Sequence, residues 1–123
     1  MTIEALGFIK DLLIKNGINY ELMQMNGEIT YPYFVGEFIE NESFNENGKQ
    51  ESLFILNGFN RGKMLELLQA KEVIEKLDNT RCILSNGNAL VINYANSQPI
   101  QTGIDELKRL QINLKINEWK GGQ

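Results

Sequence analysis

The chain has 123 residues, 42% apolar and 23% charged, which fits one folded domain with its own core and excludes a wholly disordered chain. Its net charge of -4 argues against a dedicated nucleic-acid binder, and the absence of histidine removes the commonest general base and metal ligand. The single cysteine, Cys82, excludes an internal disulfide, and no apolar run approaches the roughly 18 residues of a membrane span.

Thr2 is placed to cap a helix over Thr2 to Lys15. Ile3, Leu6, Ile9, Leu13 and Ile14 recur at helical spacing, and Asn16-Gly17 supplies the stop. Glu4 and Asp11 interrupt the apolar pattern, so this stretch does not read as a secretion signal. Ile18, Tyr20 and Leu22 alternate with polar residues as a strand. Asn26-Gly27 then predicts a tight hairpin, because both residue types accept positive φ. Tyr31 to Glu40 reads as the next strand, with Pro32 at its start or on a free edge and bulky residues on both faces. Asn41 to Lys49 reads as an exposed, mobile loop.

Gln50 to Phe59 is the third strand, with Phe54 and Leu56 on one side and Leu53 and Ile55 on the other. Met64 to Leu77 is the second helix, its stripe formed by Leu67, Leu68, Lys71, Ile74 and Leu77, with Glu72 and Lys76 as a surface ion pair. Thr80 to Ser85 and Asn88 to Ala95 form a hairpin around Asn86-Gly87. Asn96 to Gly103, with Pro99, reads as a loop, and Lys120 to Gln123 as a frayed end.

From Leu110 to Trp119 the alternation is strict. Leu110, Ile112, Leu114 and Ile116 point one way, and Gln111, Asn113, Lys115 and Asn117 the other. Such a strand has one dry face and one wet face, and the two helices are the natural cover for the dry one. Trp119 sits on the wet side, either as a lid over a sheet edge or as an interface anchor. The order α-β-β-β-α-β-β-β predicts an α+β domain over residues 1–123, two helices on one face of a mainly antiparallel sheet of about six strands.

Chemistry is hard to find. Without histidine there is no Ser-His or Cys-His pair and no histidine-bearing zinc site. Cys82 lies inside a predicted strand and reads as a buried structural thiol. Glu37, Glu40, Glu42, Glu46 and Glu51 gather around one loop but lack the spacing and central Gly of a calcium loop. Gly58 and Gly62 precede a helix where Arg61 could meet an anion, yet no Gly-Lys-Ser/Thr signature follows. No catalytic, cofactor or metal residue is assigned. Charge is uneven: residues 1–60 hold nine acids and three bases, net -6, and residues 61–123 seven acids and nine bases, net +2.

The assembled pattern resembles the phage and prophage tail terminator (tail completion, head-tail joining) family of Firmicutes phages. The resemblance is carried by the helix Thr2-Ile3-Glu4-Ala5-Leu6, by Ile29-Thr30-Tyr31-Pro32-Tyr33-Phe34-Val35-Gly36-Glu37, by the strand from Glu51-Ser52 to Gly58-Phe59 leading through Arg61-Gly62 into the second helix, and by Leu107-Lys108-Arg109-Leu110-Gln111-Ile112. It spans nearly the whole chain. It implies a non-enzymatic protein without cofactors, forming a ring of typically six subunits on a finished tail tube and facing the head connector, with no nucleic-acid or membrane partner. Unlike surfaces must then meet, which the acidic first half and mildly basic second half would suit. The interface would draw on Glu42, Phe44 and Glu46 of the acidic loop and on Arg61, Arg109, Lys115 and Trp119. Other readings are a different phage neck or head-completion protein, or a binding module with a pocket between helices and sheet.

Overall fold

A computed structural model describes residues 1–121. Two helices and six strands follow in the expected order: α1 (Ile3–Lys15), β1 (Tyr20–Leu22), β2 (Tyr33–Glu40), β3 (Lys49–Arg61), α2 (Leu65–Glu75), β4 (Thr80–Ile83), β5 (Ala89–Ile100) and β6 (Leu107–Trp119). The strands form one mixed, mainly antiparallel sheet in the order β1-β2-β3-β6-β5-β4. β3 and β6 are its spine, paired antiparallel from Lys49 opposite Trp119 to Arg61 opposite Leu107. Both therefore extend well past the minimum a stable strand pair needs. No helix among the described residues is long and apolar enough to cross a membrane.

Alternation along β3 and β6 sorts their residues into two faces. Phe54, Leu56, Leu110, Ile112, Leu114 and Ile116 are buried on one face, together with Ala5, Ile9 and Leu13 of α1 and Leu67 and Ile74 of α2. Two glycines on this face admit aromatic rings. A Cβ on Gly58 would lie 2.3 Å from the Phe34 ring, and one on Gly36 would lie 2.7 Å from Tyr20. The N-cap of α1 is as expected: the Thr2 hydroxyl accepts from the Ala5 N–H at 3.2 Å.

Five expectations are corrected. Asn26-Gly27 does not turn a hairpin, because β1 pairs with β2 in parallel, Tyr20 beside Phe34. Only Gly27 of the two has positive φ, where a type I′ turn needs both. The chain instead leaves β1 through Met23 (φ 69°), whose N–H donates to the Gly36 carbonyl, and loops back to start β2. The β4–β5 hairpin does form, but its turn is wider than two residues. The Leu84 carbonyl accepts from the Gly87 N–H, and Gly87 (φ 88°) then leads the chain into β5.

Asn96–Ile100 is strand, not loop: β5 bulges at Ala95 and continues beside β6, with Pro99 opposite Leu110. In α2 only Leu67 and Ile74 are fully buried, Leu68 is 39% exposed, and the ion pair is Lys71 with Glu75, not Glu72 with Lys76. Finally, β6 is central and has no free edge, so Trp119 cannot serve as an edge lid. At the C-terminal end, the Lys120 N–H donates to the Gly48 carbonyl and the Gly121 N–H to Asn88 Oδ1. Residues 122–123 lie outside the described residues.

Candidate functional site

The helices cover one face of the sheet. Among the described residues nothing packs over the centre of the other. Its register places β2, β3, β6 and β5 side chains in rows across the strands. One row is Ile39, Leu53, Lys115 and Asn93, and the next is Glu37, Ile55, Asn113 and Asn96. Apolar side chains gather on the β2–β3 half, where Val35, Leu53 and Ile55 are half-buried and Ile39 is 55% exposed. Amides dominate the β6 half, where Asn113 Nδ2 donates to Asn96 Oδ1 at 2.7 Å. A water-facing sheet surface normally alternates to polar, so the aliphatic patch is the unusual feature.

The two ends of this face carry cations over aromatic rings. At one end the Tyr31, Tyr33 and Phe59 rings are in series, centroids 5.5 Å and then 5.2 Å apart. Arg61 lies 5.7 Å from the Tyr31 ring and Arg109 lies 5.7 Å from Phe59. Burial, and then Tyr31, push the Tyr33 phenol up from its ordinary range. Arg109 Nη2 donates to Asn57 Oδ1 at 2.7 Å, while its buried Nε has no partner in the protein. Val35, Glu37, Asn57, Phe59, Met23 and Arg109 line a concavity of about 380 Å³ there. At the other end Lys49 Nζ lies 5.6 Å from the Trp119 ring; past the end of β6, Lys120 Nζ lies 5.1 Å from Phe44 of the β2–β3 loop.

The structure thus unites Arg109, Lys115 and Trp119 on the outer face of β6, with Arg61 two residues beyond Phe59 on β3. Lys115 lies 4.0 Å from Glu51, and Arg61 lies 3.5 Å from Glu106. Glu42 and Glu46 stand apart, exposed in the β2–β3 loop. That loop is tied down: Asn45 Oδ1 accepts from the Asn47 and Lys49 N–H groups, each at 3.0 Å. The residues missed as site candidates are the aliphatic ones, Val35, Ile39, Leu53 and Ile55. Their signal was present, since β2 and β3 carry apolar bulk on both faces.

Cys82 is only half-buried, on edge strand β4, and burial pushes its thiol up, away from a reactive thiolate. No group of three or more Asp, Glu or Cys side chains among the described residues is arranged to hold a metal ion. A second concavity of about 590 Å³ lies at the β5–β6 turn, lined by residues 99–105, Leu107–Arg109 and Met64. It is not between the helices and the sheet. The sequence matches no protein-family model and no curated protein.

Proposed function

We propose that this chain is a non-enzymatic structural protein of a bacteriophage tail, a terminator that assembles as a homo-oligomeric ring on the tail tube and joins it to the head connector. It would assemble in the cytoplasm of the bacterial host and remain in the virion. The observation that carries this reading is the uncovered sheet face, aliphatic on its β2–β3 half and flanked at its ends by cation–aromatic pairs. Such a surface suits a protein partner, because the aliphatic half gains by leaving water while arginine and aromatic side chains serve as anchors. The element order and the resemblance spanning nearly the whole chain support the choice of partner.

The test is electron microscopy of the protein mixed with isolated tail tubes. Ring density at one tube end, with tube growth arrested, is the expected outcome. Failure to cap tubes under any condition overturns the assignment. Binding to connector rings without binding to tubes assigns the protein to the neck instead.

A further inference from the structure

The outermost strands of the sheet are short, so the strands behind them are left half-paired. β1 covers β2 only at Phe34–Gly36, and β4 covers β5 only at Ala89–Ile92. Among the described residues, no strand pairs with the outer side of β2 over Glu37–Glu40 or of β5 after its bulge. Successive residues of a strand turn their N–H and C=O to opposite sides, so known hydrogen bonds reveal which groups are free. On β2 the Phe34 N–H donates outward to the Asn19 carbonyl at 2.8 Å, and the Gly36 carbonyl accepts from Met23 at 2.7 Å. By parity Phe38 and Glu40 turn their N–H and C=O outward. On β5 the Tyr94 N–H points outward, to Asp78 Oδ1 at 2.8 Å. The bulge then resets the count, placing Asn96 opposite Asn113, so Ser97 and Pro99 face outward. An outward position is where a strand proline is tolerated, since its missing N–H breaks no ladder bond.

We propose that copies of this chain join head to tail by antiparallel pairing of the Ser97–Pro99 edge of β5 in one copy with the Phe38–Glu40 edge of β2 in the next. The inference rests on the ring reading above and supplies the contact that would build the ring. Three observations select a second copy as the occupant. First, β2, β3, β6 and β5 alternate in direction, so a neighbour in the same orientation presents β2 antiparallel to β5. Second, the free groups match in one register. Ser97 opposite Glu40 exchanges two hydrogen bonds, and the Pro99 carbonyl accepts from the Phe38 N–H. Sliding two residues toward Gly36 meets Met23, already bonded there. The Ser97 and Glu40 side chains also lie on the same, helix-covered side of the sheet. Third, β5 carries no charged residue, whereas pairing β2 with another β2 through Glu40 would set carboxylate against carboxylate. Pairing unlike edges is heterologous, the kind of contact that closes rings.

The test is a cross-link. Residues in such a pair have Cα atoms about 5.5 Å apart, within disulfide reach. Glu40→Cys and Ser97→Cys are combined in a Cys82→Ser chain and mildly oxidised, alone at high concentration and with isolated tail tubes. The expected result is a ladder of covalent oligomers on non-reducing gels, with each single variant stopping at dimer. Ser97→Pro is the second arm. It removes the outward N–H together with the Ser97 hydroxyl, which accepts from the Tyr94 hydroxyl at 2.9 Å, so Ser97→Ala, lacking the hydroxyl alone, is its control. Circular dichroism is expected to stay native for both, while the oligomer seen by light scattering is lost for Ser97→Pro and kept for Ser97→Ala. A wild-type oligomer with no ladder, or a Ser97→Pro oligomer of unchanged size, overturns the edge pairing and leaves the ring reading standing. A wild-type protein that stays monomeric with and without tubes overturns both.

Discussion

Glu118 lies at the tip of the helix-covered face and is only 1% exposed, the one fully buried charged side chain among the described residues. Its Oε2 accepts from the Thr2 hydroxyl at 2.6 Å and from Asn88 Nδ2 at 2.8 Å, and its Oε1 from the Thr2 N–H at 3.2 Å. The Thr2 hydroxyl in turn caps α1, so the carboxylate sits where the positive end of the helix dipole favours it. Glu118→Ala leaves several donors without acceptors and is expected to cost about 3 kcal/mol. Thr2→Ala is expected to cost about 1 kcal/mol, and the double variant less than the sum, because both belong to one network. Urea unfolding of the three proteins checks this.

Tyr20 gives a pH dependence at the same scale. It is buried beside Phe54, and burial, with Glu21 adding, raises its phenol above the ordinary value of about 10. The folded state therefore holds the proton more tightly than the unfolded state. Its contribution is fully present below pH ~10 and is lost as pH rises toward the folded value. Tyr20→Phe is expected to flatten the alkaline limb of a stability–pH curve above pH ~10.

At the scale of elements, β5 shows how a strand continues past its partner. Asp78, just after α2, accepts from the Tyr94 N–H at 2.8 Å and from Asn93 Nδ2 at 3.3 Å, pinning the strand where β4 ends and the bulge begins. Asp78→Ala is expected to cost about 1 kcal/mol and to speed amide exchange at Tyr94 more than at Leu114, measured by hydrogen-exchange NMR. The bulge itself was illegible. Asn96, Ser97, Gln98 and Pro99 are loop-forming residue types, and only the long β6 beside them holds them extended. The Asn26-Gly27 turn failed for the opposite reason. Its chemistry suits a hairpin, but the residues flanking it, Met23–Met25 and Glu28–Thr30, form no pair of strands to join. The Thr2 cap was legible because it depends only on residues three positions away.

Over the whole molecule, the sheet has two faces with different roles. Leu114 and Leu53 are both leucines in the central strands, yet Leu114 is buried under the helices and Leu53 lies on the open side. Leu53→Lys with Ile55→Lys is expected to change the unfolding free energy measured in urea by no more than about 1 kcal/mol, while abolishing binding to tail tubes in a sedimentation assay. Leu114→Lys is expected to unfold the chain, because it buries an unpaired charge. Equal tube binding by the Leu53/Ile55 double variant would remove the open face from the proposed function.

The sequence by itself determined the elements and their order, because helical and strand periodicity and helix caps are local. It also determined which side of β6 is dry, although the buried acid that ends that side, Glu118, broke the pattern and went unread. Of the candidate site it showed Lys115 and Trp119 on one strand face, while Arg109 joins them only because β6 begins earlier, at Leu107. Only the tertiary structure decided that β6 lies between β3 and β5, that β1 runs parallel to β2, and that Leu53 and Ile55 join the same open surface. Alternation gives a strand two faces but does not name its neighbours. Pairing between residues as distant as Lys49 and Trp119 is settled by which arrangement buries both helices' apolar sides at once.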